Sequence, residues 1–280
     1  MGAVPHASKS PALVTLRRAR AFLGTGEEAA PGKRRHLLAG ILESYRTLGC
    51  LNHVDRSNLP SKRAIAQFCD DLLHLLFPGF FSDEAVSSEE LSEAAQEIID
   101  QVADQLEPQI AVSLRVFRGE RRTQAELAGR AAAITERFIR GIPTVRALLR
   151  TDVEAALAGD PAARSFEEIV LAYPGIEALA IQRAAHLLYR EDVPLLPRMM
   201  TEWAHGRTAI DIHPGARIGS HFFIDHGTGV VIGETCVIGD RVKLYHGVTL
   251  GARSFQKDEK GEIVKGLKRH PQVEDDVVIY

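Results

Sequence analysis

Two rhythms of apolar and polar positions divide this chain. Between residue 33 and about 205, apolar residues recur at helical spacing. Leu37, Leu38, Ile41, Leu42, Tyr45 and Leu48 form one stripe, and Ile65, Phe68, Leu72, Leu75 and Leu76 form another. A third stripe starts at Ser87, whose Ser87-x-x-Glu90 spacing suits a capping box. It passes through Leu91, Ala95, Ile98 and Val102 toward an expected break at Pro108. Further helices are expected over 121–140, 144–158, 161–172, 176–190 and 195–205, punctuated by Pro143, Pro174 and Pro194. These stripes read as core and oligomer contacts rather than as a cofactor site.

Near Gly206 the spacing changes. Aliphatic residues now fall every six positions, at Ile212, Ile218 and Ile224, then at Ile232, Ile238, Leu244 and Leu250. A second series of small or branched residues, Ala216, Val230, Cys236, Val242 and Val248, precedes them by two. Helices repeat every 3.6 residues and strands every two, so a period of six predicts a parallel β-helix with one short wall per hexapeptide. The leading aliphatic faces inward, and the Gly that often follows it is expected to turn the corner. The rhythm breaks twice. Ile224 and Ile232 are eight apart, and the extra residues lie in Asp225-His226-Gly227-Thr228-Gly229. Between Leu250 and Val273 it gives way to a long polar stretch, with residues 252–268 expected to protrude as a loop. Loops ejected from a solenoid usually serve binding. Val273 and Ile279 resume the count, and the chain then stops inside a coil, so the β-helix reads as cut short.

The fold class is therefore α+β. It comprises a tail over 1–32, a helical domain over 33–205 and a β-helix over 206–280. Net charge is −3 with no basic stripe beyond Lys33-Arg34-Arg35, which leaves nucleic-acid binding without an electrostatic footprint. No apolar run approaches a membrane span. Cys50, Cys69 and Cys236 are too few and scattered for a disulfide framework or zinc knuckle, and suit a reducing cytoplasm. The first 26 residues carry Lys9, Arg17, Arg18 and Arg20 without an acid, a composition shared by transit peptides and plain flexible tails.

Candidate chemistry gathers at the interruptions. His226 and His246 are twenty residues apart, one local coil, and should stack on one face. A histidine there serves either structure or general-base catalysis, which asks for a carboxylate to fix its tautomer; Asp211 and Asp225 are the candidates. Arg269-His270 closes the long loop. Asp160, followed by Pro161, has the look of a helix N-cap.

The combination of Asp211-Ile212-His213-Pro214-Gly215-Ala216, Asp225-His226-Gly227-Thr228-Gly229, Gly247-Val248-Thr249-Leu250-Gly251 and Arg269-His270-Pro271 resembles the serine O-acetyltransferases. The resemblance extends upstream through Asp160-Pro161-Ala162-Ala163 and Tyr173-Pro174-Gly175, covering about 155–280. It implies a left-handed β-helix that moves acetyl from acetyl-CoA to the hydroxyl of L-serine in cysteine biosynthesis. Acetyl-CoA would be a co-substrate, with no permanently bound cofactor and no metal. By resemblance, His226 is the base, Asp211 orients it, and His270 is a second active-site histidine. Asp160 and Asp225 would hold the serine ammonium, Arg269 its carboxylate, and Gly251, Ala252 and Arg253 would lie on the CoA side. The resemblance also implies a homotrimer or a hexamer of two trimers.

This chain departs from the pattern where Ala252-Arg253-Ser254-Phe255 stands in place of Gly-Gly-Thr-Gly. It also shows neither the further coils nor the tail with which many members dock into O-acetylserine sulfhydrylase. Three other readings compete. Hexapeptide acyltransferases for sugars or xenobiotics lack the Asp160, Asp225 and Arg269 set. A zinc-dependent γ-type carbonic anhydrase would use a spacing like His221-x4-His226. A non-catalytic assembly subunit would have no use for the two histidines.

Overall fold

The computed structural model describes residues 31–82, 85–118 and 123–280. The expected tail therefore lies almost wholly outside the described residues. Two compact units are present, divided between Arg56 and Ser57. Within the first, helix α1 (Pro31–Thr47) is followed by a 3-10 turn, Gly49–Leu51. Its stripe of Leu37, Leu38, Ile41, Leu42 and Tyr45 is exposed.

The second unit begins with helices α2 (Lys62–Leu76), α3 (Leu91–Phe117) and α4 (Gln124–Gly159), followed by α5 (Phe166–Ala172), α6 (Pro174–Arg190) and α7 (Leu196–Thr208). Ser61 caps α2 by accepting from Ala64 N, and Thr123 with Glu126 forms a reciprocal capping box on α4. Ser87 and Glu90 make the expected reciprocal bonds just ahead of α3. The breaks expected at Pro108 and Pro143 do not occur, because both prolines lie inside continuous helices. An internal proline costs about 3 kcal/mol. Around Pro108, Val102, Leu106, Ile110 and Leu114 are fully buried. At about 1.5–3 kcal/mol each, their burial outweighs that cost. Pro174, in contrast, opens α6 at its first position, where its missing N–H is harmless.

From Asp211 the chain winds through nine two-residue strands: β1 (Asp211–Ile212), β2 (Arg217–Ile218), β3 (Phe223–Ile224), β4 (Val231–Ile232), β5 (Val237–Ile238), β6 (Lys243–Leu244), β7 (Thr249–Leu250), β8 (Gln272–Val273) and β9 (Val278–Ile279). They pair in parallel as three walls, β1-β4-β7, β2-β5-β8 and β3-β6-β9. The six-residue series stacks upon itself: Ile212 on Ile232 on Leu250, Ile218 on Ile238 on Val273, and Ile224 on Leu244 on Ile279. The long insertion leaves this register intact. Its tip folds on itself with a Lys257–Ile263 bridge, and the Asp258 carboxylate accepts from Lys260 N and Glu262 N.

The corner glycines are needed, as expected, for their missing Cβ. Left-handed backbone is carried instead by His221, Arg241 and Asp276, at equivalent places in successive coils. Gly219 and Gly239 are required by crowding between coils: a Cβ on Gly219 would stand 2.5 Å from the Gly239 carbonyl oxygen, and one on Gly239 would stand 2.8 Å from Asp275 N.

A single core runs from Ile65 to Val273. Where helices meet coil, the bidentate pair Arg183–Asp152 is almost fully buried. Arg183 also donates to the carbonyls of Ile218 and Gly219, and Asp152 accepts from Phe222 N. This staple fixes the end of α4 against the third wall.

Candidate active site

Asp160 does not cap a helix N-terminus, because residues 161–165 form a turn before α5. It stands at the C-terminal end of α4, in extended backbone. Its Oδ1 accepts from Ala162 N at 2.8 Å, and its Oδ2 accepts from the Tyr173 hydroxyl at 2.5 Å. The Tyr173 bond, then the Ala162 bond, holds the carboxyl below its ordinary range, aided by the charges of Lys243 and His226. The same bond pushes the Tyr173 phenol up to about 12.

Lys243 ties this helix end to the coil. Its ammonium donates to the Gly159 carbonyl at 2.8 Å and lies 3.4 Å from Asp225 Oδ2, above the rings of Phe223 and Tyr245. Asp225 is mostly buried, and its Oδ1 is 3.8 Å from His226 Nε2. His226 itself is 75% exposed at the side chain and has left-handed backbone, φ 57°. Its ring meets His246 edge-on with centroids 6.0 Å apart, the stacking expected from their spacing. Gly175 lets the start of α6 press onto this corner, since a Cβ there would lie 2.8 Å from the Ile224 carbonyl. Asp160, Tyr173, Asp225, His226 and Lys243 thus form one cluster at the corner preceding the β1-β4-β7 wall.

A second cluster lies beyond the other edge of that wall. Arg269 is paired to Glu234 at 2.5 Å, and Glu234 also accepts from the Tyr189 hydroxyl at 2.9 Å. Burial works to raise the Glu234 carboxyl, but the bonds from Arg269 and Tyr189 outweigh it and leave the group low. His270 rests over Gly233, where any Cβ would collide with the imidazole, and its Nδ1 faces Thr235. Burial, then Arg269, lowers the His270 pKa. A cavity of about 290 Å³ opens beside them, lined by Arg253, Phe255, Lys268, Arg269 and His270 among others. Gly251 and Ala252 are half-buried, and Arg253 is exposed.

Asp211 joins neither group of bonds. Its carboxylate lies 3.3 Å from Arg198, on α7. Asp211, Glu202 and His205 bring ligand atoms within 4.8 Å of one another, yet Arg198 pairs with both carboxylates and already supplies the positive charge there. Sequence reasoning missed Lys243, Tyr189 and Thr235. The one available signal was a lysine on an outward wall position between two aromatics.

No family model matches the chain. The plasmid serine acetyltransferase of Synechococcus elongatus is 48% identical to it over 226 residues, which is 79% of this chain and 71% of that protein. The serine acetyltransferase of Bacillus subtilis is 46% identical over 132 residues, 47% of this chain and 57% of its own length. Among solved structures, serine acetyltransferase 1 of Entamoeba histolytica in complex with L-cysteine matches with a TM-score of 0.63 at 35% identity, covering 86% of this chain and 84% of that one.

Proposed function

This chain belongs to the serine acetyltransferase family, and from that premise we propose how its two clusters carry out the reaction. The reaction is acyl transfer to the hydroxyl of L-serine, giving O-acetyl-L-serine for cysteine biosynthesis. The donor is acetyl-CoA, a co-substrate rather than a resident cofactor.

The observation that supports the site best is the meeting of Asp160 and Asp225 beside His226, although they come from distant stretches. Two carboxylates match the serine ammonium, and His226 Nε2 takes the hydroxyl proton. The freed oxygen attacks the thioester carbonyl, the C–S bond breaks, and the proton passes from His226 to the leaving CoA sulfur. Arg269, tethered through one terminal nitrogen to Glu234, offers the rest of its fork to the serine carboxylate. Asp211 serves as the orienting carboxylate on the strength of the family likeness, which requires Arg198 to yield it. Gly251, Ala252 and Arg253 line the approach of CoA.

Within one chain the two clusters flank opposite edges of one wall. A cyclic assembly that sets one edge against its neighbour's other edge joins them; the family likeness makes that assembly a homotrimer, with the helical region 33–205 available to pair trimers. The β-helix over 206–280 is left-handed, as the family likeness implies. No helix among the described residues is long and apolar enough to cross a membrane. A cytoplasmic setting suits three free cysteines. L-Cysteine, which shares serine's ammonium and carboxylate, competes at the same place.

Thiol release from acetyl-CoA tests the reading. It should require L-serine, with no burst of acetylated enzyme in serine's absence. Release that ignores serine, or none at all, would contradict it.

A further inference from the structure

A threonine hydroxyl has two lone pairs and one proton. At Thr235 both lone pairs are engaged: Arg269 N–H donates to Oγ1 at 3.0 Å and His270 N–H at 3.1 Å. Its proton is then left for His270 Nδ1, 2.9 Å away. The backbone N–H of Thr235 points at the same nitrogen from 3.1 Å, and an N–H can only donate. Two donors therefore converge on Nδ1, which leaves no place for a proton of its own. The imidazole proton must sit on Nε2.

From this geometry we infer that Thr235 is a positioning residue that locks His270 as the neutral Nε2–H tautomer. His270 is then a hydrogen-bond donor in the acetyl transfer and never its base. A fixed donor suits the thioester oxygen as it gains negative charge, since pre-aimed donors cost no reorganisation during reaction. This part rests on the acetyltransferase reading; the tautomer does not. Burial, then the charge of Arg269, disfavours a second proton on the ring, and Glu234 opposes them less strongly. Gly233 completes the seat by giving the ring room to lie against the coil. Thr235 thus divides the labour: the exposed His226 is left to take the proton, and His270 is held to give a hydrogen bond.

Histidine-labelled full-length protein, followed by long-range proton–nitrogen NMR, reads the tautomer directly. His270→Asn assigns its resonances. At neutral pH the wild-type spectrum should show a proton-bearing Nε2 and a bare Nδ1. Thr235→Ser should keep this signature and near-normal turnover. Thr235→Val, which keeps the backbone donor and loses the hydroxyl, should broaden or mix the tautomers and lower kcat about tenfold, the scale of one hydrogen bond. A thermal melt separates this from unfolding. A proton on Nδ1 in the wild type, or a valine variant with unchanged tautomer and turnover, would overturn the inference. A locked Nε2–H in a protein that releases no serine-dependent thiol would uphold the inference and defeat the functional reading instead.

Discussion

Exposure of His226 leaves it free to approach an acceptor. Its change to Asn should lower kcat by about two to four powers of ten, the usual contribution of a general base; steady-state thiol release checks this. Asp211→Asn should also lower kcat, and unchanged turnover would show that Asp211 does not orient the base. Asp160 gives a pH prediction with a definite sign. Its carboxyl is held low chiefly by the Tyr173 hydroxyl, so it stays ionised further into acid than an ordinary aspartate. Tyr173→Phe removes that bond and raises the Asp160 pKa. Affinity for serine or L-cysteine should then fade at a higher pH on acidification, measured by calorimetric titration across the acid range. An unmoved acid limb would show that Asp160 does not hold the ammonium.

At the scale of elements, the walls of the coil were legible because their cause is local. Ile232, Ile238, Leu244 and Leu250 fall six apart, and the two extra residues before Ile232 shift the count without changing which aliphatics stack. His226 and His246 met for the same reason. Pro108 and Pro143 were misread because local propensity loses to the burial of their helices' faces, which no local window shows. Asp160 was readable as a motif and not as a position, since its partners Tyr173 and Lys243 come from the junction of α5 with α6 and from the third wall. Lys243 was missed because its role depends on the carbonyl of Gly159, far along the chain. Two variants probe the element contacts. Arg183→Met leaves Asp152 buried without its partner and should cost about 3–5 kcal/mol in denaturant unfolding. Gly233→Ala should displace His270 and lower turnover while the melting transition changes little, because the collision is with a side chain near the surface rather than with the core.

Across the whole molecule, the chemistry falls into two incomplete halves. Asp160, Asp225 and His226 lie before the β1-β4-β7 wall, and Arg269 and His270 lie after it. If neighbouring copies join them, a copy that lacks one half can be completed by a copy that lacks the other. The direct test is to co-express His226→Asn and Arg269→Ala chains under separate tags, isolate the mixed assembly, and measure serine-dependent thiol release. Each variant alone should be nearly inactive. In a trimer holding both variants, one interface in three sets an intact first half against an intact second half, so about a third of wild-type activity should return. A mixed assembly no more active than its parents would contradict a site shared between copies.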